Sequence, residues 1–206
     1  PSGGSYYFAL PNGYYTYTLT VVGYVNDVGS VAVHQGSTAV RTIQLVGNTA
    51  IRVLDMNGYG MATLTPGNFA FATAEIEFYN VGNGTYMFAL PMQVNTLTLY
   101  VDGYLNTVLP IAMPTNTDTT TYIVNLQGTL VVMGEDELGN PLPLTPMESA
   151  ITSTGALNIH EVYYSNGYIY VAASGIGGIS LSVDGYVNVQ TAIQIIPDPT
   201  STSPLI

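Results

Sequence analysis

In the stretch Tyr15-Thr-Tyr-Thr-Leu-Thr-Val21, apolar and aromatic groups take the odd positions and Thr the even ones. Successive side chains of an extended strand point to opposite faces, so this two-residue period predicts a strand with one face on a core. The pattern returns in Thr96-Leu-Thr-Leu-Tyr-Val101 and in Ile179-Ser-Leu-Ser-Val183. No window carries an apolar stripe at helical spacing over a useful length. Thr, Val, Tyr and Ile fill these blocks, and such β-branched and aromatic residues suit a pleated, half-buried surface. Gly and Pro separate the blocks, and Asn57-Gly58 and Gly139-Asn140 are tight-turn dipeptides. Short strands at regular intervals predict an all-β chain of the sandwich type.

The blocks also repeat. Ser5-Tyr-Tyr-Phe-Ala-Leu-Pro11 is echoed by Gly84-Thr-Tyr-Met-Phe-Ala-Leu-Pro91 and, more loosely, by Gly167-Tyr-Ile-Tyr-Val-Ala-Ala173. Each is followed by an alternating strand that ends on a Gly-Tyr pair, with the tyrosines at Tyr24, Tyr104 and Tyr186. A period of about eighty residues marks supersecondary units in series. Openers of the form strand, tight turn, strand begin at Ala50 and Thr129. Residues 48–127 therefore read as one complete β-sandwich unit and residues 128–206 as a second. The second is short at its end, because Ile193-Gln-Ile-Ile-Pro-Asp-Pro-Thr-Ser-Thr-Ser-Pro-Leu-Ile206 has no match for Thr121-Tyr-Ile-Val-Asn-Leu126. Residues 1–47 match only the later half of a unit and have no opener.

Composition narrows the function classes. Of 206 residues, 47% are hydrophobic and 7% charged, against roughly a quarter charged in ordinary soluble domains. That is neither a disordered nor a membrane-spanning composition, since polar residues interrupt every apolar run. The surface is expected to be Thr, Ser, Asn, Gln and the 17 Tyr; Arg41 and Arg52 are the only Lys or Arg side chains, and the net charge is −11. Such a chain cannot neutralise phosphates, which argues against nucleic acid as a partner. Binding to anionic lipid and membrane insertion are disfavoured too. The lysine-free surface points to an extracellular protein on the cell surface, and the start Pro1-Ser2-Gly3-Gly4, without an initiator Met, reads as an end left by signal-peptide removal or by trimming of the chain. Few charges also mean few strong ion pairs, so stability is expected to depend weakly on pH.

Candidate chemistry is thin. His34 and His160 lie in different units and form no zinc pattern, so no metal is expected. The absence of Cys and Lys removes thiol and Schiff-base nucleophiles, and no Gly-x-Ser-x-Gly elbow is present. Gly175-Ile-Gly-Gly178 reads as a turn between strands. Glu135-Asp136-Glu137 with Asn140 has the oxygen types that hold Ca²⁺, but a solvated turn is the favoured reading. Glu75 and Glu77 share a strand face, where a carboxylate pair can serve glycoside hydrolysis; without a supporting residue an exposed face is the simpler reading. Asn83-Gly84-Thr85 is a glycosylation sequon in a predicted turn, so an N-linked glycan on Asn83 is a candidate modification. The expectation is a non-enzyme without cofactors.

The order opener, turn, Gly-x-Tyr-x-Phe-x-Leu-Pro, alternating strand, Gly-Tyr resembles carboxypeptidase-regulatory-like, transthyretin-like and collagen-adhesin B-type Ig-fold domains. It is carried by Asp55 to Gly58, Gly84 to Pro91 and Asp102 to Tyr104. The resemblance implies spacer or adhesin modules without catalysis. The Lys–Asn cross-link of some adhesins is impossible in a chain without lysine. Composition, size and the incomplete unit also resemble the extracellular thread-type filament subunits of archaea, which implies subunits joined head-to-tail by donor-strand complementation. A sandwich lacking a strand leaves an apolar groove and unpaired backbone, which recruit a strand from a neighbour.

The resulting expectation is an all-β fold of tandem Ig-like β-sandwich units with an N-terminal β-segment exchanged between subunits. The chain would be a cell-surface filament subunit, a homopolymer serving adhesion or cell–cell contact. The donor strand falls within residues 5–22. Tyr15, Tyr17, Leu19 and Val21 are the expected groove-filling groups, and Tyr6, Phe8 and Leu10 are the alternative register. The competing expectation is a monomeric adhesin or carbohydrate-binding spacer from a larger surface protein.

Overall fold

The computed structural model describes residues 4–73 and 77–195. It is almost entirely β among these residues, with one turn of 3₁₀ helix at Pro66–Asn68 and no α-helix. In chain order the strands are β1 (Gly13–Leu19), β2 (Asp27–Val33), β3 (Thr49–Leu54), β4 (Phe69–Phe71), β5 (Glu77–Gly82), β6 (Thr85–Ala89), β7 (Asn95–Leu99), β8 (Thr107–Ile111) and β9 (Thr120–Asn125). They continue with β10 (Leu130–Val132), β11 (Gly134–Glu135), β12 (Pro141–Leu142), β13 (Ser149–Ser165), β14 (Tyr168–Val183) and β15 (Val189–Ile195).

The middle of the chain is sandwich-like. One sheet has the order β5-β6-β3-β9 and the other β4-β7-β8. Side chains from both fill one core, in which Ile51, Val53, Tyr86, Phe88, Leu97, Leu99, Ile111 and Val124 are buried. The aromatic centre is dense: Phe88 meets Phe69, Phe71 and Phe78 with ring centroids 4.9–5.3 Å apart. The Tyr86 hydroxyl, buried with its ring, donates to the Met61 carbonyl and accepts the Leu64 amide at 2.9 Å. A buried phenol kept in such a core needs a polar partner of this kind. Within the four-stranded sheet β9 runs parallel to β3, with Thr49 opposite Thr120, Ile51 opposite Tyr122 and Val53 opposite Val124.

The last third uses the same parts differently. A second core collects Leu130, Leu144, Leu157, Ile169, Val171, Ala173, Ile179 and Ile195. β13 and β14 form one long antiparallel ribbon, where the middle of the chain has β4 and β5 and then β6 and β7 as separate strands. The sequence expectation of a turn at residues 175–178 is thereby corrected. These glycines lie inside β14, paired with β13 on one side and β15 on the other. Steric closeness explains them: a Cβ on Gly175 would stand 2.2 Å from the Ala156 carbonyl oxygen, and one on Gly177 2.0 Å from that of Thr154. Glycine here lets two backbones approach rather than ending a strand.

At the N-terminal side, β1 and β2 form an isolated antiparallel pair, with Tyr15 opposite Val31 and Tyr17 opposite Gly29. The alternation read from sequence holds, since Tyr15, Tyr17, Leu19 and Val21 are half-buried and Thr16, Thr18 and Thr20 exposed.

Candidate assembly interface

Two Gly-Tyr turns join the successive repeats by one design. Gly23 and Gly103 adopt φ +86° and +84°, a left-handed conformation open to glycine at little cost. The amides of Tyr24 and Tyr104 then bond back to Val21 and Val101 at 3.1 and 3.0 Å. Each tyrosine forms an antiparallel bridge to the glycine that leads into the next repeat, Tyr24 to Gly47 and Tyr104 to Gly128. Each hydroxyl donates to a glutamate of that next repeat: Tyr24 to Glu77, and Tyr104 to Glu161 Oε2 at 2.6 Å. Both phenols are only 8% exposed. Their pKa values rise accordingly, Tyr24 to about 12 chiefly through its bond to Glu77, and Tyr104 also upward, chiefly through burial.

The second junction carries more bonds. A register shift between Ile159 and Glu161 makes His160 the extra residue of a β-bulge, which re-aims neighbouring side chains. Both Glu161 oxygens are used: Oε2 also accepts the Met56 amide, and Oε1 the Asn57 amide, each at 3.1 Å. His160 Nε2 pairs with Ser174 Oγ at 2.9 Å and lies 3.4 Å from Asp102 Oδ2. Thr129 Oγ1 donates to the Ala173 carbonyl at 2.7 Å and accepts the Ala173 amide at 3.1 Å. His160 thus stays exposed while bonding across the junction, and His34 is exposed as well.

The third turn has the same shape and meets no partner repeat among the described residues. Gly185 has φ +82°, and the Tyr186 amide bonds to Val183 at 3.0 Å. Tyr186 is nevertheless 45% exposed, and Val187 is 89% exposed where the matching Leu105 is 7%.

Two further stretches lack the partners their counterparts have. Residues 6–10 correspond to the buried Tyr86, Phe88 and Leu90, yet they pair with no strand among the described residues, and Tyr6 and Phe8 are 68% and 79% exposed. β10 corresponds to β3, but only β14 pairs with it among the described residues, so the edge that β9 covers in the middle repeat is open here.

The remaining sequence candidates are ordinary surface features. Asp136 closes its own turn, accepting the Leu138 and Asn140 amides at 2.8 Å, and bonds from Asn140 hold its carboxyl below the usual range. Residues 55–58 build the same turn around Asp55. No group of three or more His, Cys, Asp or Glu is disposed to hold a metal among the described residues. Glu75 lies outside the described residues, and Glu77 is taken by Tyr24. Asn83 is exposed at a β-turn with φ +49°. No helix among the described residues is long and apolar enough to cross a membrane.

No family model, curated protein or solved structure matches the chain.

Proposed function

We propose that this protein is a structural subunit of an extracellular filament, built of tandem Ig-like units and polymerised head-to-tail by strand donation between copies. The observation that carries this reading is a pair of complementary gaps. Among the described residues, 6–10 are an apolar segment in no sheet, and β10 is paired on one edge only. An exposed edge and a free strand attract each other, because pairing satisfies backbone donors and acceptors and buries side chains together. A contact between two different surface patches is heterologous, and where its rotation does not close it propagates into a filament.

The strand that carries Tyr15, Tyr17 and Leu19 is already paired with β2, and this proposal takes the exposed Tyr6, Phe8 and Leu10 as the donor groups. Burying a large apolar side chain is worth about 1.5–3 kcal/mol, so three contribute roughly 5–9 kcal/mol before backbone pairing. Association costs about 4–15 kcal/mol in lost freedom, so the ladder bonds and the enclosing contacts decide whether the polymer holds.

The test is negative-stain electron microscopy and size-exclusion of the native chain beside a variant lacking residues 1–11. Uniform fibres from the full chain and folded monomers from the truncated one are expected. Monomers from both, or fibres from both, would refute strand donation by this segment.

A further inference from the structure

We infer that the Gly185-Tyr186 turn is the docking station for a second copy. It receives that copy's Asn12-Gly13 exactly where residues 6–10 leave the edge of β10, and the donated strand runs parallel to β10. This rests on the strand-donation reading above and adds its direction, register and end point.

The chain itself supplies the template. In the middle repeat, β9 runs parallel along β3, and the chain leaving it bridges Tyr104 at Gly128. One constant offset carries Gly47 to Gly128, Leu54 to Glu135 and Gly60 to Pro141. The Leu54–Gly60 bridge accordingly reappears as the Glu135–Pro141 pair. Under the same offset Ile51 becomes Val132 and Val53 becomes Gly134. On the donor side, Tyr122, Val124 and Leu126 correspond in spacing to Tyr6, Phe8 and Leu10, which puts Asn12 in the place of Gly128.

Val53 and Val124, both buried, face each other across β3 and β9. In the proposed pairing Gly134 faces Phe8; Leu142 and Leu144 already fill the space a Cβ on Gly134 would take, Leu144 Cδ2 standing 2.9 Å from it, so Phe8 packs over these side chains. Tyr6 opposite Val132 keeps the pairing of Tyr122 with Ile51 nearly unchanged. An antiparallel insertion would reverse the order of Tyr6, Phe8 and Leu10 and bring Ser5 rather than Asn12 toward Tyr186. The exposed Val187 would become covered as Leu105 is, whose amide bonds the Gln127 carbonyl at 2.9 Å beside the Tyr104 bridge.

The chain has no cysteine, so single introduced thiols report contacts cleanly. Residues facing across an antiparallel bridge stand within disulfide range. Chains carrying Asn12→Cys are mixed with chains carrying Tyr186→Cys under mild oxidation, and a parallel set replaces Asn12→Cys by Ser5→Cys. The expected result is efficient 12–186 linkage and little 5–186 linkage. Val187→Asp, at a position exposed in the monomer, should leave the thermal midpoint of the monomer unchanged and raise the critical concentration for assembly at least tenfold. Predominant 5–186 linkage, or wild-type assembly by Val187→Asp, would overturn the register while leaving strand donation standing. A wild-type chain that stays monomeric at every concentration would overturn both.

Discussion

The Tyr104 hydroxyl and the Glu161 carboxylate, 57 residues apart in sequence, meet at 2.6 Å and lock two successive repeats together. The same carboxylate accepts the amides of Met56 and Asn57, so one side chain fixes a turn and a phenol of the preceding repeat at once. Hydrogen bonds to a charged group contribute about 1.5–3 kcal/mol each when desolvated, and truncation leaves the partners unsatisfied. Glu161→Ala is therefore expected to destabilise the chain by about 2–4 kcal/mol. Glu161→Gln, which keeps one acceptor and the shape, should lose clearly less. Equilibrium urea denaturation of the two variants checks the order; equal losses would show that packing, not the carboxylate, holds the junction.

The junction phenols also set an alkaline limit. Tyr24 has its pKa raised to about 12, and Tyr104 is raised as well, from an ordinary value of 10.0. An unfolded chain releases these protons near pH 10 while the folded chain keeps them, so the folded state binds more protons above that pH. Their contribution is complete below pH 10 and is lost as pH rises through about 12. A thermal midpoint that is flat from neutrality to about pH 9 and falls between pH 10 and 12 is expected. In Tyr24→Phe/Tyr104→Phe that fall should be shallower, with the neutral-pH midpoint already lowered. An unchanged slope in the double variant would assign the alkaline transition to other tyrosines.

Gly103 and Gly185 share the left-handed conformation but differ in surroundings. A Cβ on Gly103 would stand 2.3 Å from His160 Cδ2, whereas one on Gly185 meets nothing within 4 Å. Gly185→Ala should therefore cost only the conformational penalty, about 1–2 kcal/mol, and Gly103→Ala distinctly more. Urea unfolding of the chain lacking residues 1–11 isolates this difference, because in a polymer of the proposed kind Gly185 would no longer face open space.

The aromatic centre is the most sensitive place in the middle repeat. Phe88 is fully buried against three other phenylalanines, so Phe88→Ala should cost about 3–5 kcal/mol. Phe88→Leu, which keeps most of the volume, should cost less than half of that. Circular dichroism melts of both variants would show it; a small effect of the alanine change would mean that the core collapses around the cavity.

Asn83 stands exposed at the turn between β5 and β6. Secretion from a host with N-glycosylation should add one glycan mass, abolished by Thr85→Val and retained by Thr85→Ser. Intact-mass spectrometry decides this, and an unmodified mass in the parent chain would remove the sequon from consideration.

Strand content and the face of each strand were legible because they depend on neighbours one and two positions away. Tyr15, Tyr17, Leu19 and Val21 alternate with Thr in sequence and share one half-buried face in the fold. The turns at residues 55–58 and 136–139 were legible for the same reason, since an aspartate bonding its own following amides is a local device. The repeat of the Gly-Tyr pair was visible too, but not what the pair does. Its partners, Glu77 and Glu161, lie more than fifty residues away, and no local pattern distinguishes them from other acidic residues. Residues 175–178 were misread because a run of glycines marks a turn and a close approach of two backbones equally well. Only the packing of β13 against β14 selected between them. The sequence determined that the chain makes strands, where they turn and that the units recur. The tertiary structure decided which strands pair, and so which apolar segment and which sheet edge have no partner among the described residues, because hydrogen-bond pairing is settled by residues that meet only after folding.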